Sequence, residues 1–334
     1  MILPTHGLFN ARMPLRRYVL VILVTTACAA ALAGCAGGVR NASANIVNES
    51  RAEFPGGRLT VVTFNMLHGF GNRLNDVTLE ERLALLQQSV RSAAADIVIL
   101  QEASLTPGRH GNVVDTLRDG LNRRPGALGP YNSAWDMANG SRVIRFWEGS
   151  AILSRFEILS AETLVYRDQA LIPPEHRVAL KVRLRGAGTD LVVIATHLTN
   201  TEARRHGRLV RTLQARELSA WARAAGLPVI IGGDFNSAPD SEPILAMTAA
   251  GARDAWAEAA AVGAATGPGL TALAGTVTDP ADRAEERIDY IFLLWPGVDV
   301  TGARPFLDRP FAREAGGVLW ASDHVGVLAG IRVR

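Results

Sequence analysis

The stretch LPVIIGGDFNSAP, residues 227–239, decides how the rest of this chain is interpreted. Its apolar, β-branched run at residues 229–231 predicts a buried strand. Two glycines follow, and because glycine lacks a side chain they let the backbone approach another group closely. Asp234 and Asn236 come next, and with one residue between them in an extended segment their side chains are expected to point the same way. An acid and an amide at the end of a buried strand suit a hard metal ion and a phosphate oxygen.

Seven further apolar runs also predict strands. They cover residues 59–64, 97–100, 150–153, 178–184, 191–195, 288–293 and 325–333. Apolar residues recur at helical spacing over residues 79–94 and 209–225, which predicts two helices. The stretch 249–274, rich in alanine and glycine, predicts a helix followed by a loop. No repeat and no change in composition marks a second domain, so we expect one large domain.

Polar residues stand at the ends of the predicted strands. They are Asn65, Glu102, His197, Asp234, Asn236, Asp289, Asp323 and His324. Taken alone, Asn65 could cap a turn, Glu102 could begin a helix, and His197 could be a hydrogen-bonded core histidine. Asp289 is harder to explain in this way, because an acid inside an apolar strand is costly to bury unless it is paired. Side chains at successive strand ends are typical of a site built at one edge of a sheet.

The first 34 residues resemble a bacterial lipoprotein signal peptide. Three arginines precede an apolar run at residues 18–31 that is too short for a comfortable transmembrane span. The run ends in Leu-Ala-Gly-Cys, which resembles a lipobox and predicts cleavage before Cys35 and lipidation of its thiol. An ordinary signal peptide with an incidental cysteine is the alternative, and Met13 could be the true start. Ala36 after the cysteine resembles the pattern for sorting to the outer membrane.

Three regions are therefore predicted: a lipoprotein signal peptide at residues 1–34, a lipidated cysteine with a flexible tether at residues 35–55, and the folded domain at residues 56–334. The tether is predicted because residues 36–51 are small, polar and aperiodic. The predicted location is the bacterial cell envelope, with the lipid in the outer membrane or at the periplasmic face. We expect a monomer.

Cleavage would also change the charge and the cysteine content. The whole chain carries 35 basic and 32 acidic residues, but its first 34 residues hold three arginines and no acid. The mature chain is therefore nearly neutral, which argues against avid non-specific binding of nucleic acid. Of the two cysteines, Cys28 would leave with the signal peptide and Cys35 would carry lipid. No thiol would then remain for a disulfide, a zinc site or a nucleophile.

Seven blocks of sequence, taken in order, resemble the endonuclease/exonuclease/phosphatase family, which contains DNase-I-like nucleases, bacterial sphingomyelinases and inositol-polyphosphate phosphatases. The blocks are TFNMLHG, DIVILQE, EGSAILSR, ATHL, GGDFNSAP, RIDYIF and SDHVG, and the similarity spans about residues 59–334. The resemblance implies an α+β fold, a four-layer α/β/β/α sandwich of two mixed sheets packed face to face. It is specific for the fold and much less so for the substrate.

The resemblance also implies a divalent cation, usually Mg²⁺, with Mn²⁺ or Ca²⁺ as alternatives. The residue types agree, because carboxylates and amides without thiols are hard oxygen ligands. By position Glu102 resembles the principal metal ligand, with Asn65 beside it. Asp323 resembles a residue that holds a second metal or positions the phosphate.

Three of the residues that match the family's motifs concern proton transfer. His324 resembles the catalytic histidine, and Asp289 would hydrogen-bond its far nitrogen and stabilise the imidazolium. Asp234 would orient or deprotonate the attacking water, or protonate the leaving oxygen. Whether Asp234 or His324 is the general base stays open at this level.

Three others would contact or support the phosphoryl group. His197 would donate to a phosphate oxygen, Glu148 would orient His197, and Asn236 would bind the transferred phosphoryl group. The implied reaction is in-line attack of water on phosphorus, with the metal and the imidazolium offsetting charge on the phosphoryl oxygens. Arg177 and Gln214 also stand where the family often has similar residues, although an ordinary structural role explains them equally well.

The leading functional hypothesis is a divalent-metal-dependent phosphodiesterase or nuclease anchored in the cell envelope. Its substrate could be a nucleic acid, a phospholipid head group or a small phosphoester, so sphingomyelinase- or phospholipase-C-like and phosphatase activities are alternatives. The neutral charge argues mildly against duplex binding, and the lack of an evident apolar hairpin argues mildly against lipid hydrolysis. A binding protein of the envelope that keeps the fold without catalysis is the alternative from another class. The presence of every polar strand-end residue argues against it.

Four arginines follow His197, at positions 204, 205, 208 and 211. They could reach an anionic substrate. A charged surface laced with glutamates is the favoured interpretation, because charge runs on a helix face usually meet solvent.

Overall fold

Two seven-stranded mixed sheets form the centre of the computed structural model, which describes residues 38–41, 44–67, 73–105, 111–123, 129–141, 146–172, 175–295, 297–313 and 316–334. The expected signal peptide and Cys35 lie outside these ranges. Among the helices described here, none combines the length and the apolar character needed to cross a bilayer.

The strands of the described residues are numbered in chain order. They are β1 (Gly38–Asn41), β2 (Asn45–Val47), β3 (Gly57–Asn65), β4 (Ile97–Ser104), β5 (Asn132–Ser141), β6 (Phe146–Ser154), β7 (Ile158–Val165), β8 (Val178–Leu184), β9 (Leu191–His197), β10 (Arg204–Arg205), β11 (Arg208–Leu209), β12 (Val229–Asp234), β13 (Arg253–Asp254), β14 (Ala272–Leu273), β15 (Ala284–Glu286), β16 (Asp289–Leu294), β17 (Val298–Phe306), β18 (Phe311–Ala312), β19 (Val318–Leu319) and β20 (Gly326–Val333). The first sheet has the order β1-β7-β8-β9-β12-β16-β13, and the second has the order β17-β20-β3-β4-β6-β5-β2. Three small hairpins pair β10 with β11, β14 with β15, and β18 with β19.

The helices of the described residues lie outside the two sheets. They are α1 (Arg73–Ser92), α2 (Val113–Asn122), α3 (Val210–Arg223), α4 (Glu242–Ala249) and α5 (Ala255–Ala261). The apolar sides of α1 and α2 pack on the second sheet, and those of α3 and α4 pack on the first. The short helix α5 joins the core that lies between the sheets.

Alternate residues of the central strands face different cores. In β4, Ile97 and Ile99 lie between the two sheets, whereas Val98 and Leu100 face α1 and α2. Because both faces of each sheet are covered, the central strands are continuous apolar runs, and that is why the sequence shows them clearly. The predicted α+β fold, a four-layer α/β/β/α sandwich, is confirmed.

All eight strands predicted from apolar runs are present, and so are the two helices. Several strands extend into polar residues, since β4 continues to Ser104, β9 to His197 and β12 to Asp234. The apolar pattern did not predict β5, β7 or β17. Polar residues and small residues interrupt each of these three strands, so neither apolar runs nor strict alternation marks them.

The N-terminal segment corrects the expectation of a flexible tether over residues 35–55. Strand β1 pairs with β7, and β2 pairs with β5. Phe54 is buried, and its ring meets that of Phe156 edge to face at 5.4 Å. Asn132 Oδ1 accepts a hydrogen bond of 2.6 Å from the Glu49 N–H. The described part of this segment is therefore folded, because backbone groups hold its small polar residues and composition does not reveal such pairing.

Strand direction sets apart one edge of the sandwich. β3 and β4 are parallel, and so are β9 and β12, so the carboxyl ends of each pair lie together. β16 and β20 run antiparallel to them and begin where those strands end. Asn65, His197, Asp234 and Asp289 stand at this edge, which we call the polar edge. The other ends of the same strands form the opposite edge.

Candidate active site

Asp234 ends β12 and lies at the centre of the polar edge. Its neighbour on β9 is His197, and its neighbour on β16 is Asp289. Only 1% of Asp234 is exposed, and Asn65 of the other sheet donates to its Oδ2 at 3.1 Å. Strand register and one contact between the sheets thus bring together four residues from distant parts of the chain.

The two glycines before Asp234 permit close packing. A Cβ at Gly233 would lie 2.1 Å from the carbonyl oxygen of Thr196, and a Cβ at Gly232 would lie 2.6 Å from Cδ1 of Ile99. Both distances are far below van der Waals contact. The close backbone approach expected from the sequence is confirmed, and it is directed at the neighbouring strand and the other sheet.

The backbone turns after Asp234 instead of continuing extended. Asn236 has φ of +48°, and its N–H donates to Asp234 Oδ1 at 2.8 Å. Its side chain donates to the carbonyl oxygen of Leu198 at 3.0 Å. The expectation that Asp234 and Asn236 point the same way along an extended segment is therefore wrong. The carboxylate folds the chain back on itself, as aspartate does in turns.

A histidine–aspartate pair faces Asp234. His324 Nδ1 lies 2.8 Å from Asp289 Oδ2, and His324 Nε2 lies 3.8 Å from Asp234 Oδ2. When Nδ1–H donates to Asp289, the ring orientation is fixed and Nε2 is directed at Asp234. Burial alone lowers the pKa of His324, but the carboxylates of Asp289, Asp234 and Asp323 raise it well above its usual value. These carboxylates therefore favour the protonated imidazole.

Thr271 supports this pair and was not predicted from the sequence. Its Oγ1 accepts hydrogen bonds from the backbone N–H groups of Ile288 at 3.0 Å and Asp289 at 3.1 Å. Its carbonyl oxygen accepts from the Val325 N–H at 2.6 Å. Thr271 therefore fixes the start of β16 relative to the start of β20. It lies in the stretch 249–274, where the sequence indicated only a helix and a loop.

His197 lies between two carboxylates. Its Nε2 is 3.4 Å from Asp234 Oδ2, and its Nδ1 is 4.0 Å from Glu102 Oε1. Asn65 Nδ2 also donates to Glu102 Oε1 at 3.2 Å. His197 and Asn65 therefore connect Glu102 with Asp234, and neither is an isolated structural residue.

Glu102 occupies a strained backbone position in β4. Its φ is +53°, and the pairing of β4 with β6 shifts register between Leu100 and Ala103. A residue other than glycine in this region costs roughly 1–3 kcal/mol, and such strain concentrates at functional sites. The register shift interrupts the alternation of side chains between the two faces of β4, at the point where the Glu102 side chain lies close to Asn65 and His197.

Negative charge accumulates at the polar edge. Burial raises the pKa of Asp234 to about 7, and the charge of Asp289 adds to this effect. Burial also raises the pKa of Asp323, with His324 opposing the rise and Glu102 adding to it. The raised pKa values of these two carboxyl groups mean that burial outweighs the attraction of nearby His324.

A small cavity beside His197 contains the expected Glu148 together with an arginine. Its lining includes Glu102, Ala138, Glu148, Gly149, Ser150, Arg177, Val178 and His197. Glu148 Oε1 accepts from Asn139 Nδ2 at 3.0 Å, and Arg177 Nε donates to Glu175 at 3.3 Å. Burial lowers the pKa of Arg177, but Glu175, Glu148 and Glu102 outweigh burial and raise it. Arg177 is therefore a buried cation of this site, a role that the sequence left open.

Arg82 of α1 is a second buried arginine, and no motif indicated it. It donates to the carbonyl oxygen of Met66 at 2.6 Å and to that of Ala321 at 3.2 Å. These bonds join the loop after β3 to the loop before β20. Burial lowers its pKa to about 10, while the charges of Asp323 and Glu102 act in the opposite direction. The only sequence signal is a charged residue beside the apolar stripe of α1.

Gln214 and part of the arginine-rich segment have structural contacts. Gln214 Oε1 accepts from the Thr199 N–H at 2.9 Å, and its Nε2 donates to the Asp168 carbonyl oxygen at 2.9 Å. These bonds support the loops that follow β9 and β7. Arg208 and Arg211 form ion pairs with surface glutamates, in agreement with the favoured interpretation of the arginine run.

The oxygen donors at the polar edge fit a hard divalent cation. Asp234, Asp289 and His324 each place a potential ligand atom within 4.8 Å of the others, but Nδ1 of His324 is already bonded to Asp289. The carboxylates of Glu102 and Asp323 belong to the same charged cluster, since each affects the other and both act on Arg82. Carboxylate donors without thiols suit Mg²⁺, Mn²⁺ or Ca²⁺, and a cation would offset the excess negative charge.

Asn65 lies beside Glu102 as expected, but its amide group is oriented toward the acids. Its NH₂ donates to Glu102 and Asp234, while its Oδ1 accepts from the Leu67 N–H at 3.1 Å. Service as a metal ligand requires the amide to turn over so that its oxygen faces Glu102.

Solved structures with the same fold come from several organisms. An endonuclease/exonuclease/phosphatase from Bacteroides vulgatus is 21% identical with a TM-score of 0.63, over 83% of this chain and 99% of that chain. A mannosyl-6-phosphatase from Bacteroides thetaiotaomicron is 20% identical with a TM-score of 0.61, over 82% and 99%. TDP2 from D. rerio with a single-strand DNA product is 19% identical with a TM-score of 0.57, over 83% and 99%. At these identities the similarity shows the fold alone.

Comparison with family profiles shows the family of this chain. None of the curated proteins matches this chain in sequence. The profile of the Endonuclease/Exonuclease/phosphatase family matches residues 62–324, a range that contains all the strand-end residues from Asn65 to His324. The chain therefore belongs to the endonuclease/exonuclease/phosphatase family, and this membership supports phosphoester hydrolysis as its activity.

Proposed function

We propose that this protein is a divalent-metal-dependent phosphodiesterase that acts by in-line attack of water on phosphorus. The observation that carries the proposal is the arrangement around Asp234. On one side lies the His324–Asp289 pair, and on the other lie His197, Asn65 and Glu102. Basic and acidic groups thus face a common centre, where they could act together on a phosphoryl group.

The metal would be held on the Glu102 side of the site. Glu102 and Asp323 supply carboxylate oxygens, with Asn65 beside them, and Mg²⁺ is the ion we favour. When bound, the cation would polarise the phosphoryl oxygens and neutralise charge on them. Arg82 keeps the loops that carry Asn65 and Asp323 together, so the donors stay close before a metal arrives.

The geometry supports different roles for Asp234 and His324. His324 is committed through Nδ1 to Asp289 and its protonated form is favoured, which suits it to donate a proton or stabilise a phosphoryl oxygen. Asp234 Oδ2 faces both histidine rings, so Asp234 is the better acceptor for a proton from the attacking water. His197 would donate to a phosphoryl oxygen, with Glu148 as its neighbour in the cavity.

Asn236 would support the phosphoryl group through the turn it forms. Its N–H is bonded to Asp234 and its amide to the loop after β9, so it fixes the position of the carboxylate. Arg177 adds a buried positive charge beside Glu148 and His197. Its charge lies beside those of Glu175, Glu148 and Glu102, so it would offset part of the negative charge that an anionic substrate meets there.

The lipobox-like sequence at residues 32–35 supports anchoring in the cell envelope. A phosphodiester is the first substrate class, whether in a nucleic acid or in a phospholipid head group, and a small phosphomonoester is the alternative. A binding protein without activity is a weaker alternative, because the charged cluster is complete and costly to keep. The mannosyl-6-phosphatase and TDP2 share this fold but have different substrates, so the fold does not identify the substrate.

The test is hydrolysis of bis-p-nitrophenyl phosphate with Mg²⁺ or Mn²⁺, with and without EDTA. We expect activity that EDTA abolishes and that the double substitution Glu102→Ala with His324→Ala removes. Asp240→Asn, on the exposed loop after β12, serves as the matched control and should retain activity. Activity that persists in the double variant would sink the proposed site.

A further inference from the structure

The described chain begins at the polar edge. Strand β1 is antiparallel to β7, with Gly38 paired to Val165. Val165 is paired in turn to Val178 of β8, the residue that follows Arg177 of the site. The first described residue therefore lies at the end of the sheet where the active-site residues stand.

This position matters because Cys35 is only three residues before Gly38. Three residues span at most about 11 Å even when fully extended. A lipid on Cys35 would therefore hold the polar edge, and not the opposite edge, close to the bilayer. This step rests on the proposed function, which includes lipidation of Cys35.

The loop after β7 exposes two adjacent large apolar residues at the same edge. Leu171 is 61% exposed, and Ile172 is 90% exposed, the highest value among the large apolar residues of the described ranges. Exposure of these apolar side chains to water is unfavourable. Insertion into the boundary of a bilayer would remove them from water. The sequence shows no evident apolar hairpin, but the structure exposes this apolar pair.

Positive charge flanks the apolar pair. Arg167 and Arg204 are exposed, and within the described parts of the chain neither forms an ion pair with a carboxylate. The hairpin of β10 and β11 that carries Arg204 is tied to the loop after β7 by Arg205, 3.9 Å from Asp168. Cations beside an exposed apolar tip are the combination that binds the surface of an anionic bilayer.

We propose that residues 167–172 of the loop after β7 and the β10–β11 hairpin form a docking surface for an anionic phospholipid bilayer. The active site then opens at the lipid–water boundary. Its substrates are phosphoesters of lipid head groups that lie in that boundary, and not nucleic acid in solution. The anchor, the apolar pair and the arginines act together, since each lies on the side of the molecule where the site opens.

The orientation can be measured with one dye. The mature chain holds no cysteine besides Cys35, whose thiol would be acylated, so Ile172→Cys gives a unique attachment point. The full lipidated protein, labelled there with an environment-sensitive fluorophore, is reconstituted into phosphatidylethanolamine vesicles with about one-third phosphatidylglycerol. Trp295→Cys is the matched control, because Trp295 is also an exposed apolar residue, 42% exposed, at the opposite edge.

We expect nitroxide-labelled lipids to quench the dye at position 172 and to leave the dye at position 295 unchanged. Quenching at position 295, or no quenching at either position, would overturn the docking surface. Both results are independent of catalysis, so they remain informative if the protein hydrolyses no phosphoester.

The substrate class is tested with the same vesicles. Changing Leu171 and Ile172 to glutamate should lower release of soluble phosphorus from the vesicles by about tenfold or more, because the apolar contact is lost. Hydrolysis of bis-p-nitrophenyl phosphate should not change, since neither residue belongs to the site. Equal vesicle hydrolysis by the variant and the unmodified protein, or intact vesicles beside active cleavage of the soluble ester, would overturn lipid head groups as substrates. Failure to cleave the soluble ester at all would instead contradict the proposed function.

Discussion

The polar edge and the opposite edge are built from the two ends of the same strands, yet they bury different groups. At the polar edge the pairing of β12 with β16 sets Asp234 against Asp289. Five residues away, at the opposite edge, the same pairing sets Val229 against Leu294. One edge therefore holds like charges out of water, whereas the other closes with apolar contact.

The opposite edge shows what the sandwich looks like without a site. A cavity of about 610 Å³ there is lined by residues such as Leu227, Leu294 and Trp295. Arg253 pairs with Glu258 at 2.9 Å in an ordinary, partly exposed ion pair. At the polar edge, by contrast, Asp234 is buried against Asp289 and burial raises its pKa to about 7. The polar edge thus carries buried carboxyl groups whose cost the apolar cores must offset.

The largest effect we expect is on activity, from a change at the polar edge. His324→Ala should lower kcat/KM for bis-p-nitrophenyl phosphate by about 10²–10⁴-fold, because a positioned proton donor is lost. Trp295→Ala at the opposite edge should leave kcat/KM nearly unchanged. Comparable losses in both variants, measured at saturating Mg²⁺, would show that the two edges are not functionally distinct.

A change between the edges should affect stability. Ile230 is fully buried between the sheets, and Ile230→Ala should lower the free energy of unfolding by about 2–5 kcal/mol. Leu245 of α4 is 54% exposed, so Leu245→Ala should change the free energy of unfolding by about 0.5 kcal/mol or less. Urea titration of both variants checks this difference, and a small effect at Ile230 would contradict the role given to the core between the sheets.

The pH dependence of stability should reveal the buried charge at the polar edge. The pKa of Asp234 rises from 3.8 to about 7 on folding, so its ionisation opposes folding increasingly between these values. The raised pKa of His324 adds a further fall only at higher pH, since its stabilising effect is fully present below its ordinary pKa of 6.5 and is lost as pH rises through the folded pKa. Without divalent metal, stability should therefore fall as pH increases from 4 to 7.

Asp234→Asn tests the origin of this slope. The variant should lose most of the decrease and unfold at a higher temperature than the unmodified protein above pH 7, although it should be inactive. Thermal unfolding at several pH values in EDTA gives the comparison. An unchanged slope in the variant would place the buried charge elsewhere.

The smallest effect concerns the ion pair of the opposite edge. Glu258→Gln removes the partner of Arg253, and both side chains are about one-third exposed, 33% and 35%. Solvent screens such a pair, so the free energy of unfolding should fall by less than about 1 kcal/mol. A larger loss in urea titration would mean that the opposite edge also depends on charge.

Much of the fold was predictable because its central strands are covered on both faces. Residues 97–100 and 191–195 are apolar throughout, and a continuous run is visible in a single sequence. β5, β7 and β17 were not predicted, since their mixed composition gives no periodic signal. The prediction of a flexible tether over residues 35–55 was wrong for its described part. Backbone pairing holds β1 and β2, and such pairing leaves little signal in the sequence apart from the apolar Phe54.

The site was predictable to the extent that its residues follow strands. The sequence placed Asp234 and His197 after apolar strands and Asp289 within one, and parallel and antiparallel pairing brings the three together. Arg82, Arg177 and Thr271 were missed or left open. Their contribution depends on which loops they touch, and no local pattern records contacts between residues that are far apart in the chain.

By itself, the sequence determined the central strands and the types of polar group that accompany them, because hydrophobic periodicity and short motifs are local properties. The motifs also carried the resemblance that implied the family and its layered sandwich. Only the tertiary structure decided that Asn236 turns back on Asp234, that two arginines are buried beside the acids, and that Gly38 and Ile172 lie at the polar edge. These features depend on strand register and burial. Both arise from contacts across the whole chain, where the low polarity of the interior sets the strength of each charge.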